Sequence, residues 1–165
     1  MSDRSELWNS PVVNTYLVWE LVRGYEQGGN GGMPILLVFL AMALLVDEAM
    51  RQRIADVETT SLEGLSRAVL DSCGKDSVSF AGLTQLIAAN KDGVRKAIEF
   101  ALAARLIGLN TETATLETRY GGDNRSAESK AKRFYRAEGM LAAQLGFCLA
   151  DESPEKIATL LEVDF

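Results

Sequence analysis

Histidine is missing altogether from these 165 residues. Its absence removes the side chain that most often serves as a general base near neutral pH, and the commonest metal ligand with it. Cysteine is nearly as scarce. Cys73 and Cys148 stand far apart, outside any C-x-x-C spacing, so neither a zinc site nor a disulfide framework is indicated. They are expected as two reduced thiols of a cytoplasmic protein, without an evident activating neighbour. No Gly-x-x-x-x-Gly-Lys-Ser/Thr run occurs: neither the glycine-rich segment 27–32 nor Gly74-Lys75-Asp76 has the spacing of a phosphate-cradling loop. Basic residues are in deficit, 17 against 23 acidic for a net charge of −6, which argues against a chain whose main task is gripping nucleic acid. A local basic patch stays compatible with that balance. Acidic residues are scattered along helix surfaces, where solvation is their usual fate. Glu152, Glu155 and Lys156 approach the composition of a metal-dependent nuclease, yet Glu155 sits where a helix N-terminus simply favours an acid. The expectation is therefore a non-enzyme: no catalytic residue, no cofactor-binding residue and no metal ligand. The opening Met1-Ser2-Asp3-Arg4-Ser5-Glu6 lacks the charged-then-apolar pattern of a signal peptide, which again favours the cytoplasm.

What the chain does have is one almost unbroken apolar run, Ile35 to Val46, preceded by Gly32-Met33-Pro34 and closed by Asp47 and Glu48. Pro34 suits the first turn of a helix, where its missing N–H does no harm, and a helix apolar all round must be buried all round. The run is shorter than the roughly 20 residues a bilayer crossing needs and has no basic flank, so no membrane span is expected. It reads as the central pillar of a water-soluble core. A chain of this length should bury roughly two thirds of the surface its unfolded form exposes, without any covalent staple.

Around the pillar the pattern is helical. Ser10 as N-cap and Pro11 at the first helical position open a helix with Val12, Tyr16, Trp19 and Val22 or Arg23 at helical spacing, expected to end near Gly24. The glycines that follow make a flexible connector. Thr60 or Ser61 can cap a helix to about Ser72, and a turn around Gly74 to Asp76 follows. Ser79 starts a short helix through Ala89. Asn90 is suited to cap a third helix, Lys91 to about Ile107, and the runs 106–109 and 114–118 around Asn110–Thr113 read as a hairpin. The expected fold is one mainly α domain over 1–165. It is built around a winged helix-turn-helix at about 60–118, with a small β-hairpin wing and flanking N- and C-terminal helices.

On the third helix Lys91, Asp92, Arg95 and Glu99 share the outward arc, with Lys96 at its edge, so the charges nearly cancel. Glu112 and Glu117 on the wing would face phosphate where a DNA-reading wing offers cations. Use of this unit for protein docking is expected ahead of sequence-specific DNA reading. Residues 121–129 are a polar linker, after which Lys130, Lys132, Arg133 and Arg136 crowd the start of a long helix. Phe134, Ala137, Leu141, Leu145 and Cys148 mark an apolar stripe on that helix. Its basic cluster is either a solvated helix face or a contact to DNA backbone or an acidic partner. Ser153 and Pro154 begin a last short helix bearing Ile157, Leu160 and Leu161, with Val163 and Phe165 beyond it. Trp8, Tyr16, Trp19, Ile157, Leu160, Leu161 and Phe165 lie outside the winged-helix segment. They are either a docking surface for a partner or packed against the pillar within the chain.

The order of segments resembles a known group: Asn9-x-Pro11 opening a helix, Gly32-Met33-Pro34 before the apolar run, the winged-helix segment ending in Leu106-Ile107, and the terminal Ser153-Pro154-Glu155-Lys156-Ile157. It is similar to the small middle component of bacterial ABC three-component defence systems, the group that includes the Lamassu subunit LmuC. The resemblance covers nearly the whole chain on short, structural motifs. It implies a non-catalytic adaptor bridging an SMC-like ATPase of the Rad50 kind to an effector, often a nuclease, in an anti-phage or anti-plasmid complex, with DNA met weakly or through the complex. No active site carries over, because the motifs hold no catalytic residue to match. Two other readings stay open on the residues: a winged-helix transcriptional regulator, and an adaptor of the ScpB or MukE type in a chromosome-organising SMC complex.

Overall fold

A computed structural model describes residues 8, 10–29, 31–56, 61–72, 81–119, 133, 135–161 and 163. Helix α1 (Pro11–Gln27) begins where the sequence places it, with Pro11 in the first turn after an extended Ser10, whose side chain makes no capping hydrogen bond. It is the more deeply enclosed of the two central helices, being buried without interruption from Val13 to Val22. Gly24 does not end it. The helix runs a further turn to Gln27, and Gly24 is there because α6 (Arg136–Leu149) comes too close for a side chain: a Cβ would overlap the Ala143 carbonyl. Gly146 repeats this on the facing helix, where a Cβ would overlap the Leu21 carbonyl, and Gly139 leaves room for the phenol of Tyr16. The α1–α6 pair is the most extensive packing among the described elements, with backbones drawn together by small residues on both helices.

The connector after α1 is a defined turn up to Gly29. Gly29 and, beyond residue 30, Gly31 hold φ of 95° and 75°, a region that side chains avoid. Met33 and Pro34 then form a two-residue strand, β1, so Pro34 precedes the helix as an extended residue rather than entering its first turn. Proline is tolerated on such an edge strand because its missing N–H costs no ladder bond there. Helix α2 (Ile35–Val46) is the apolar run. Leu37, Val38 and Leu40–Leu45 are buried, but Leu36 is 51% exposed and Ile35 and Phe39 are only partly covered, so the pillar has one open side.

Helix α3 (Glu48–Asp56) has no counterpart among the sequence expectations. Asp47 starts it, its Oδ1 accepting the Met50 N–H at 2.8 Å, and Met50 and Ile54 bury themselves one turn apart. Arg51 donates to the carbonyls of Leu45 (2.8 Å) and Val46 (3.2 Å), satisfying the end of α2. Helix α4 (Leu62–Ser72) has the expected Ser61 cap, with Ser61 Oγ accepting the Gly64 N–H at 3.2 Å.

The largest departure is α5, a single helix of 23 residues from Ala81 to Ala103 where two were expected. Asn90 caps nothing. Its Nδ2 donates to the Leu86 carbonyl at 2.8 Å, so the side chain folds back on its own helix and the backbone continues. The outline over 60–118 thus becomes two helices and a hairpin, with the turn at Gly74 to Asp76 outside the described residues. The hairpin is as expected: β2 (Ile107–Asn110) and β3 (Thr115–Thr118) pair antiparallel, Leu109 opposite Leu116. Asn110 Oδ1 accepts the N–H groups of Glu112 and Thr113 and shapes the turn. β1 joins the other side of β3, giving the order β1-β3-β2. Glu26 ties α1 to this sheet, its carboxylate accepting Thr118 N–H at 2.7 Å and, through the second oxygen, the Thr118 hydroxyl. Helix α7 (Pro154–Leu160) closes the fold, capped by Ser153 Oγ on the Lys156 N–H.

Candidate functional site

The outer face of α5 carries Lys91, Asp92, Arg95, Lys96 and Glu99, all exposed. Arg95 is shared between carboxylates one turn away on either side, 3.5 Å from Asp92 and 3.8 Å from Glu99. Exposed pairs of this kind add little stability, but they cancel local charge. The wing follows suit, with Glu112 and Glu117 exposed beside a shallow open hollow and the Arg119 guanidinium laid over Gly108. A face built this way offers duplex DNA no cationic stripe.

The basic cluster is divided by what the structure describes. Arg136 is exposed at the start of α6 and Arg133 is exposed three residues before it, while Lys130 and Lys132 lie outside the described residues, as does the linker 121–129. Arg136 stands at the first position of α6, followed by Glu138.

Most of the terminal apolar groups are buried within the chain. Trp8, Tyr16 and Trp19 are each at least 93% buried, and Ile157 and Leu161 are fully buried. Tyr16 donates to Glu20 Oε1 at 3.0 Å, Glu20 pairs with Arg23, and the Arg23 guanidinium sits 5.3 Å from the Trp19 ring centre. A buried carboxylate is tolerable only with such partners. Trp8 is covered by the Arg51 guanidinium at 3.9 Å, a cation–π contact. These five residues are covered by the chain itself. Leu160 is the exception at 38% exposed, and Phe165 is outside the described residues.

The expected stripe on α6 is half right. Leu145 and Cys148 are buried and Leu141 partly so, but Ala137 is exposed, and Phe134 lies outside the described residues. Burial, with a smaller push from Asp151, raises the Cys148 thiol to about 12, which makes it inert rather than nucleophilic. The sequence reading missed the opposite, solvent-facing side of this helix, where Met140 is 62% and Phe147 43% exposed. Their separation by seven residues, which is two helical turns, was the available signal.

Among the described residues no group of three or more His, Cys, Asp or Glu side chains is placed to hold a metal, and no helix is long and apolar enough to cross a membrane. Helices packed on α1, a small three-stranded antiparallel sheet and a charge-balanced outer face on α5 define a mainly helical packing module. The chain belongs to the ABC-three component (ABC-3C) system Middle Component 3 family, whose model matches residues 1–165. Neither a curated protein nor a solved structure matches it. It is thus a middle component of an ABC three-component system, and its partners are that system's other components.

Proposed function

We propose that this chain is a non-catalytic adaptor of the Lamassu kind, bridging an SMC- or Rad50-like ATPase to an effector, often a nuclease, in a cytoplasmic anti-phage or anti-plasmid complex. The observation that carries the reading is the family match across residues 1–165. The lack of histidine supports a role without chemistry of its own. The strand order β1-β3-β2, with a long helix leading straight into the hairpin, supports a winged-helix variant used for protein contact. The ion-paired outer face of α5 supports the same use over DNA reading.

Co-purification from cells carrying the native operon tests the assembly: the tagged chain should retain the ATPase and the effector, and recovery of neither would overturn the proposal. The purified chain should neither hydrolyse ATP nor cut DNA, and should bind duplex no tighter than about 10⁻⁴ to 10⁻⁶ M at physiological salt. A sequence-selective complex in the nanomolar range would favour a transcriptional regulator instead. Within the assembly Lys130, Lys132, Arg133 and Arg136 are the residues proposed to meet DNA backbone. Replacing all four with Glu should weaken DNA binding by the intact complex, and an unchanged salt dependence would count against the patch.

A further inference from the structure

The outer face of α6 carries apolar side chains that the chain's own core leaves uncovered. Arg136, Met140, Gln144, Phe147 and Asp151 follow one another at spacings of four, four, three and four residues, which keeps them in one stripe along the helix. Asp151 stays on that track although α6 ends at Leu149. Ala150 keeps helical backbone angles, φ −74° and ψ −15°, and the Asp151 N–H still reaches the Cys148 carbonyl at 3.4 Å. Gly139 and Gly146 lie against α1 on the other side of the helix, so the stripe faces away from the chain's core.

The stripe reads basic, apolar, apolar, acidic from one end to the other. Its charges oppose the helix dipole, which favours acids at the N-terminus and bases at the C-terminus. Arg136 and Asp151 are both exposed and each stands at the less favourable end. Helix stability therefore does not account for them, but pairing with a second, reversed copy does. The two polar residues and the two large apolar ones are placed symmetrically about the midpoint between Ala143 and Gln144. Set antiparallel about a two-fold axis at that level, Met140 meets the partner's Phe147 and Arg136 meets the partner's Asp151, each contact occurring twice. A parallel pair would instead set Arg136 against Arg136 and Asp151 against Asp151.

We propose that this stripe is a self-association face, through which two copies of the chain pair α6 against α6 in antiparallel register. The arrangement is isologous and closes on itself, so it gives a dimer and not a filament. A contact along one four-turn helix falls below the roughly 800 Å² per partner of a standard stable interface. The dimer is accordingly concentration-dependent.

Sedimentation equilibrium of the full chain at low salt, from micromolar to millimolar concentration, tests it. The expected result is a monomer–dimer equilibrium that Arg136→Glu or Asp151→Arg alone weakens by about tenfold or more. The combined Arg136→Glu/Asp151→Arg chain, in which both pairs are rebuilt with signs exchanged, should recover the wild-type association. Met140→Ser should weaken it without altering the melting temperature, since the side chain is solvent-facing before association. A chain that stays monomeric at millimolar concentration, a dimer indifferent to either charge reversal, or a double variant no better than the singles would overturn the proposal.

Discussion

Glycine to alanine at two helix interiors should shift stability in opposite directions, and the sign depends only on what each glycine faces. Gly24 lies inside α1 and Gly93 inside α5, so both substitutions gain the helix propensity and reduced unfolded-state entropy that alanine brings, about 0.5–1 kcal/mol. At Gly93 nothing lies within 4 Å of the added methyl, and the gain should survive. At Gly24 the methyl would overlap the backbone carbonyl of Ala143, which cannot swing aside like a side chain. Helices α1 and α6 must part instead, and a gap of 0.5–1 Å along their contact forfeits a quarter to a half of the dispersion energy there. Overpacking costs about 1–3 kcal/mol in ordinary cores. With the upper end taken here and the propensity gain subtracted, the net loss is about 2 kcal/mol. For a chain of this size that is a fall in melting temperature of about 4–8 °C, against a rise of about 1–4 °C for Gly93→Ala. Urea titrations followed by far-UV circular dichroism, with thermal melts beside them, read both. A Gly24→Ala protein as stable as Gly93→Ala would refute the close approach of α1 and α6.

Three further outcomes are expected. With Cys73 replaced by Ser, Cys148 should react with a thiol reagent at pH 8 only as fast as the protein opens. Because its folded thiol titrates near 12 and the free thiol near 9, its contribution to stability is complete below about pH 9 and is lost as pH rises toward 12; rapid labelling of the native chain would contradict this. Glu26→Ala leaves the Thr118 N–H and hydroxyl without their shared acceptor, and should cost about 1–3 kcal/mol in a urea titration, whereas Glu117→Ala, exposed on the same strand, should cost under about 0.5 kcal/mol. Deleting Ser153 to Phe165 removes Ile157, Leu161 and Val163, each contributing about 1.5–3 kcal/mol by burial, so the melting temperature should collapse; an unchanged melt would return the tail to an external interface.

The candidate surfaces were legible only in part. Charge balance on the face of α5 followed from residue spacing, and the acidic wing from composition, because both are properties of exposed residues that keep their sequence neighbours. The terminal aromatics were readable only in part. Arg23 follows Trp19 by one turn of the same helix, a spacing visible in the sequence, whereas only the fold brings Arg51 over Trp8. Met140 and Phe147 were hidden by the stripe next to them. A sequence shows that a helix has two apolar sides, but the neighbours that bury one of them come from elsewhere in the chain.

The local elements with strong end signals, α1 at Ser10-Pro11, α4 at Ser61, α7 at Ser153-Pro154 and the hairpin around Asn110, were determined by the sequence itself. Caps and turns are short-range hydrogen-bond and dihedral preferences, complete within four or five residues. Where α1 stops and whether α5 breaks were decided by tertiary structure. By local preference Gly24 ends a helix and Asn90 starts a new one, and keeping either inside a continuous helix costs near 1 kcal/mol or less. Burial along the α1–α6 and α5 contacts outweighs that cost, and a glycine that would end an isolated helix becomes the place where two helices touch.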